Sequence, residues 1–369
     1  MATIPAIIAF DESELTVVGK TPESRFFCEI DEYNYPVSAR DATRAALLGE
    51  PLWQMIGTAI RTFTPQIIPD HVARGFVREA GAFNAAEDGG GEDMFGVRWI
   101  YEPTQHGSME DFSSGFLLED ILGWKEAITF PNIDAWDWEG SAQANNDVYL
   151  KPDKFNEVWI FTGWFERLIS FVGFEAAAMA MIDEEEQDAA RELCEALSDL
   201  YINLIDHYVS YFKYIDGFLI HDDWGSAANA LFSPDSCEKV IVPAMRRVTD
   251  HLHDLGLVAN FHSCGNNILQ VPNMIKAGWD TWTPQSNVND IEEIYRLYGD
   301  KLVVAVEPEM FDVETTSEDE QRAYARAYAA KYCRKDKPSI FNYHKGYGKL
   351  LTRAFHEELY RASRIRYCG

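Results

Sequence analysis

From about residue 155 onward, short apolar runs of strand length alternate with longer segments of helical period. The stretch EEEQDAARELCEALSDLYINLIDHYVSYF (184–212) repeats its apolar positions at helical spacing, with acids in its first turn, where the helix dipole favours them. Strand IDGFLIHDD follows, then helix SPDSCEKVIVPAMRRVTDHLHDLG, strand LVANFHSCG and helix NNILQVPNMIKAG. Next come strand WDTWTPQ, helix VNDIEEIYRLYG, strand KLVVAVEPE, helix TSEDEQRAYARAYAAKYC, strand PSIFNYHKG and a last helix. Strand and helix alternating through short connections predict βα units on a parallel sheet. At 369 residues the chain fits an α/β fold of the (β/α)8 TIM-barrel type, with a doubly wound open sheet as the alternative.

The first part is less regular. PVSARDATRAALLGEPLWQMIG (36–57) predicts a short amphipathic helix capped by Ser38 or Asp41, and MFGVRWIYEP (94–103) reads as a strand. EDGGGED (87–93) reads as a mobile surface loop or hairpin tip. No GKS or GKT follows it and its flanking acids oppose phosphate, so it is not a phosphate loop. The expected organisation is an N-terminal extension over residues 1–110, packed on or over a barrel formed by residues 111–369. Trp53, Phe95 and Trp99 in the extension read either as a cover for the barrel mouth or, preferably, as plain packing.

Charge narrows the function classes. A formal net charge of -28 repels phosphate backbones and anionic lipid, which argues against nucleic-acid or membrane-surface partners. The six cysteines are scattered without a CxxC pair, a usage that suits reduced thiols and a cytoplasmic location. The opening MATIPAIIAFDESE lacks a basic region before its apolar stretch and does not read as a signal peptide, and no apolar run reaches the roughly 20 residues of a membrane span. Aromatic residues reach 13%, mostly for the core, with enough left to line a pocket for a flat apolar ligand. A homodimer ranks slightly ahead of a monomer on the pairing habit of barrels alone.

In a barrel the C-terminal strand ends carry the site. Here they present His221, Asp222, Asp223 and Trp224; His262 and Cys264; Gln285; Glu307 and Glu309; and Asn342, Tyr343, His344 and Lys345. One capping residue per end would satisfy the helices, so this concentration points to a working rim. In FHSCGN (261–266), His262 and Cys264 stand two apart and point the same way on an extended segment, where an imidazole and a thiolate can share a zinc. The competing reading is a tight turn with a satisfied histidine and thiol. Asp222 and Asp223 point to opposite faces, so one can enter the site while the other caps a helix.

The run IHDDWGSAANALFSPDSCEKVIVPAMRRVTDHLHDLGLVANFHSCGNN, with MIKAGWDTWTPQ and IEEIYRLYGDKLVVAV, resembles the uroporphyrinogen decarboxylase superfamily, and within it the corrinoid-dependent methyltransferase branch. That branch includes methylcobamide:coenzyme M methyltransferases and O-demethylases of methoxylated aromatics. The resemblance covers roughly residues 155–369 and implies a (β/α)8 barrel with zinc held by the HxC pair, here His262 and Cys264. The coenzyme M enzymes add a cysteine after the last strand. This chain reads NYHKGYG there, which makes His344 the candidate third ligand, and it has Gln285 where some members carry a glutamate. The implied activity moves a methyl group from a small methylated donor, a methoxylated aromatic, to the cobalt of a cobalamin or other corrinoid on a partner protein. Asp222, Glu307 and Tyr343 are the candidate acids, and His221, Trp224, Gln285 and Asn342 the candidate substrate contacts. The alternatives are methyl transfer from a methyl-corrinoid to a thiol, and a decarboxylase of the uroporphyrinogen type. The basic N-terminal motif of that decarboxylase has no counterpart here.

Overall fold

A computed structural model describes residues 9–23, 29–104, 107–342 and 351–368. Its strands in chain order are β1 (Val17–Thr21), β2 (Ile30–Tyr33), β3 (Ile60–Phe63), β4 (Gly91–Glu92), β5 (Arg98–Glu102), β6 (Gly107–Glu110), β7 (Phe155–Ile160), β8 (Ile215–His221), β9 (Val258–Ser263), β10 (Thr281–Pro284), β11 (Val303–Val306) and β12 (Ser339–Phe341). The chain forms two compact units. One comprises Thr62–Pro152 and Asn156–Trp279; the other comprises Met1–Arg61, Asp153–Phe155 and Asp280–Gly369. The expected boundary at residue 110 falls inside the first of these.

In the unit built on Asn156–Trp279, β7, β8 and β9 run parallel, with Val158 opposite Phe218 and Phe218 opposite Ala259. These positions, with Ile160, Ile220 and Phe261, are buried. Such two-sided burial explains why the strands read as near-continuous apolar runs. Helix Glu186–Tyr211 covers them with a buried stripe of Leu193, Leu197, Leu200, Tyr201, Leu204, Ile205 and Tyr208, and the Tyr208 ring meets Phe218 edge-on. The alternate positions Glu157, Trp159 and Asn260 form a polar layer. Asn260 Nδ2 donates to Glu157 Oε1 at 3.0 Å and Trp159 Nε1 to Glu157 Oε2 at 2.7 Å. Burial nevertheless pushes the Glu157 carboxyl up.

The same unit contains β4–β6. The glycine run is not a hairpin tip: it leads into β4, which pairs antiparallel with β5 across a turn closed by Asp93 N donating to the Val97 carbonyl at 2.9 Å, and its last acid is not on the surface. Asp93 is buried and accepts from Trp99 Nε1 at 3.0 Å and from Arg167 Nη1 at 2.7 Å. Arg167, fully buried in helix Trp164–Val172, also pairs with Asp70. Phe95 packs on Phe130 and Phe171. Phe95 and Trp99 are therefore packing residues of this unit.

In the other unit β10, β11 and β12 are again parallel, with Thr281 opposite Val303 and Val304 opposite Ser339. Tyr33, Ala42, Ala45, Leu52, Trp53, Met55 and Tyr360 share one apolar cluster, in which Tyr35 stacks on Trp53 at 4.8 Å. The helix expected from residue 36 runs Ala39–Leu47, with Ser38 Oγ accepting from Asp41 N as its cap. Glu14 receives the Tyr360 hydroxyl at 2.6 Å and Arg364 at 2.7 Å, which ties the start of the chain to helix Arg353–Cys368.

The fold is α/β with parallel βα units, as the alternation predicts. A closed ring of eight strands is not found among the described residues. The parallel ladders comprise three strands in each unit, and β3 lies where the chain passes from one unit to the other. The segment expected as one helix over 233–256 breaks at Ile241 into Pro234–Val240 and Val242–Asp254, because Pro243 starts a new helix in its first turn. Among the described residues, no helix is long and apolar enough to cross a membrane.

Candidate metal centre

The site forms where β8 and β9 end side by side. His221 and His262 are register partners, and their rings lie 5.2 Å apart and 15° from parallel. Alternation along the extended chain sends His221 and Asp223 to one side and Asp222 to the other. Asp222 is fully buried and accepts from Phe165 N at 3.1 Å, Glu166 N at 2.8 Å and Trp224 Nε1 at 2.8 Å. It caps helix Trp164–Val172, whose own N-cap, Gly163, has no side chain to offer. A Cβ at Gly163 would lie 2.4 Å from the Asp222 Cβ, so only glycine lets the strand end approach this closely.

The turn after β9 is fixed as tightly. Gly265 has φ +82°, and a Cβ there would fall 2.0 Å from the Gly225 carbonyl carbon. Two glycines thus let the loops after β8 and β9 touch backbone to backbone. Asn267 Nδ2 donates to the Cys264 carbonyl at 2.7 Å and to Ser263 Oγ at 2.9 Å, and Ser263 Oγ accepts from Trp224 N at 3.0 Å. Cys264 N donates to Asp223 Oδ1 at 2.6 Å. The thiol is consequently held in place by backbone contacts on both sides.

His221, Asp223, His262 and Cys264 each offer a ligand atom, and these atoms all lie within 4.8 Å of one another. His262 Nε2 is 3.3 Å from Cys264 Sγ, and His221 Nε2 is 3.2 Å from Asp223 Oδ1. On the far side of its ring, His221 Nδ1 meets Glu166 Oε2 at 2.7 Å and the Phe161 carbonyl at 3.0 Å. Burial alone would lower the His221 pKa, but Glu166 and Asp223 reverse that and hold it well above its ordinary value. Burial likewise opposes ionisation of Asp223, yet the charge and hydrogen bond of His221 keep it well below the usual carboxylate range. Burial pushes the Cys264 thiol up, against the pull of His221. Asp222 is pushed up to about 7 by burial and by the neighbouring Glu166 charge.

Two imidazoles, one thiol and one carboxylate are a donor set that suits zinc. Magnesium and calcium prefer oxygen alone, whereas nitrogen and sulfur in a four-donor cluster favour zinc. The residues therefore fit the metal that the HxC spacing suggests, though with a different complement. His262 and Cys264 come together as expected. His221, expected to touch substrate, joins them as a donor, and Asp223, not among the expected site residues, supplies the carboxylate. His344 and Tyr343 lie outside the described residues.

Trp224 is fully buried beside Phe232 and Phe261, so it supports the loop from behind. Glu307, Gln285 and Asn342 belong to the other unit. There Glu307 accepts from Ser286 Oγ and, at 3.4 Å, from Asn342 Nδ2, while the Gln285 carbonyl accepts from Asn289 Nδ2 at 2.8 Å. Sequence reasoning missed a line of half-buried aromatic rings leading to the cluster. Phe76 stacks on Trp159 at 5.3 Å and 3°, Phe161 lies 4.9 Å from Phe76, and the His221 ring is 6.5 Å from Phe161. Alternation on β7 puts Trp159 and Phe161 on one face, a signal available in EVWIF. Phe76 comes from a distant loop.

No protein-family model and no curated protein matches the chain. Among solved structures, a methyltransferase from Methanosarcina mazei is similar in fold, with a TM-score of 0.54 and 13% sequence identity. The similarity covers 87% of this chain and 98% of that one. It supports the α/β architecture independently of the sequence pattern.

Proposed function

We propose that this chain is a zinc-dependent methyltransferase that takes a methyl group from a methoxylated aromatic and delivers it to the cobalt of a corrinoid carried by a partner protein. The observation that carries this reading is the convergence of His221, Asp223, His262 and Cys264 at adjoining strand ends, beside the Phe76–Trp159–Phe161 rings. The fold similarity to a methyltransferase is consistent with it.

The four donors would hold the metal. Once bound, zinc would supply a Lewis acid for the ether oxygen, provided that oxygen enters as a fifth ligand or takes the place of one of the four donors, and would make the phenolate a better leaving group. The chain's own side chains do the rest. Trp159 and Phe161 offer apolar surface to the aromatic ring, with Phe76 stacked on Trp159 and the Arg78 guanidinium 4.4 Å over the Phe76 ring. The buried Glu157 orients the Trp159 indole through Nε1, so the stacking surface is rigid. In the transfer the O–CH3 bond breaks with both electrons left on oxygen, and a lone pair of Co(I) forms the new C–Co bond. Holding the donor in line with that nucleophile is worth several kcal/mol of barrier.

The cluster also favours a second reading, because a thiolate–imidazole zinc site activates thiols. In that case methyl passes from a methyl-corrinoid to a small thiol. Incubating the zinc-loaded protein with free cob(I)alamin and a panel of methoxybenzenes tests the first reading. Loss of the Co(I) spectrum with a matching amount of phenol supports it. Transfer from methylcobalamin to a thiol, with no phenol formed, would replace it by the second.

A further inference from the structure

We propose that Glu166 is a positioning residue of this centre: through His221 Nδ1 it sets which ring nitrogen faces the cluster. The proposal rests on the metal reading of the four donors. Glu166 is the third residue of helix Trp164–Val172, the position whose carboxylate ordinarily folds back onto the N-cap amide. It does not do so here. Asp222, from the end of β8, serves the amides of Phe165 and Glu166, which leaves the Glu166 carboxylate available. It reaches across to His221 Nδ1 at 2.7 Å, with both side chains nearly buried. Its other oxygen lies 3.5 Å from Arg74 Nη2, and the Arg74 guanidinium rests 4.6 Å over the Trp99 ring.

The consequence is chemical. A neutral imidazole carries one N–H, and the hydrogen bond at one nitrogen decides which atom remains a ligand. With Nδ1–H donated to Glu166 and to the Phe161 carbonyl, Nε2 is the atom turned to the cluster, 3.2 Å from Asp223, and it becomes a ligand when a metal displaces its proton. A carboxylate behind a metal-binding histidine fixes the ring and raises its basicity, and losing such a partner typically costs about 10- to 100-fold in metal affinity. Because Asp222 and Glu166 divide the capping and orienting tasks, the strand end and the helix start lock each other in register around His221.

The test compares wild type with Glu166→Gln, which keeps the side-chain shape and removes the charge, and with Glu166→Asp, which keeps the charge and shortens the reach. Each metal-free protein is titrated with Co(II) in competition with a chromogenic chelator, and the visible cobalt bands and melting temperature are recorded. The expected result is a metal-free melting temperature near wild type for Glu166→Gln, affinity about 10- to 100-fold weaker, and shifted ligand-field bands, with partial recovery in Glu166→Asp. Wild-type affinity and unshifted bands in Glu166→Gln would overturn the proposal. Failure of the wild type itself to bind Co(II) would overturn the metal reading and this proposal with it. If the variant loses metal only because its metal-free form melts far below wild type, the role is structural and the proposal fails.

Discussion

His221 and His262 are aligned register partners on adjacent parallel strands, and their rings stack 5.2 Å apart at the strand ends. That single alignment brings two separate sequence features, HDD and HSC, to one place. Neither holds four donors alone. The parallel ladder between β8 and β9 completes the set.

The two aspartates should separate by their effect on metal binding. Asp222→Asn removes a charge that three N–H groups share, so stability should drop by about 1–3 kcal/mol, while one equivalent of bound metal is retained. Asp223→Asn, which removes a donor and the partner of His221, should also lower stability, but it is the change that weakens metal binding. Differential scanning calorimetry alongside metal titration checks both. A stable Asp222→Asn protein that has lost all activity would restore Asp222 to the catalytic role expected from the sequence.

Gly265→Ala should be among the most damaging single-atom changes in the chain. The residue has φ +82°, and its new Cβ would meet the Gly225 backbone at 2.0 Å. Left-handed strain and the clash together cost about 2–5 kcal/mol, and relief must come from moving the turn that carries Cys264. Loss of metal affinity together with a melting temperature lower by several degrees is the expected outcome. Wild-type behaviour would mean that the two loops do not approach as closely as described.

Acid sensitivity should trace in part to His356. Its ring is buried, 5.0 Å from that of Tyr33, and burial lowers its pKa to about 4. The unfolded chain takes up that proton near pH 6.5 and the folded protein only near 4. The stabilisation is therefore complete above pH 6.5 and is lost as the pH falls towards 4. By pH 5 the loss is about 2 kcal/mol. Urea midpoints at pH 7 and pH 5 should differ less in His356→Phe than in wild type. An unchanged difference would assign the acid response to other groups.

The aromatic rings predict a substrate preference. Trp159→Ala should weaken binding of a methoxyarene by up to about 10-fold, since a lost stacking partner is worth about 0.5–1.5 kcal/mol beyond its area, and should leave Co(II) affinity nearly unchanged. Fluorescence titration with the arene checks the first part. Equal arene affinity in wild type and variant would place the aromatic substrate elsewhere.

Much of this was legible in the sequence because it is local. The βα alternation needs only periodicity, and the HxC pair needs only the two-residue repeat of an extended chain. The split between Asp222 and Asp223 was half legible. Alternation shows that they diverge, but which one enters the site depends on helix Trp164–Val172, which needs a cap at its start and has only Gly163 there. Glu166 carries no signal of its own, since its partner lies 55 residues away and its position normally serves a capping box. The expected closed barrel illustrates the same limit. Periodicity predicts strands and helices, but ring closure depends on pairings between distant segments that no local pattern encodes.

The most direct test is the metal content of the purified protein, wild type beside His262→Ala, by elemental analysis. About one zinc per chain in wild type, lost in a variant that still folds, is the result expected of a tetrahedral site built on these donors. No zinc in either protein, or equal zinc in both, would contradict the assignment of His221, Asp223, His262 and Cys264 as a metal centre, and the proposed methyl transfer would lose its chemical basis.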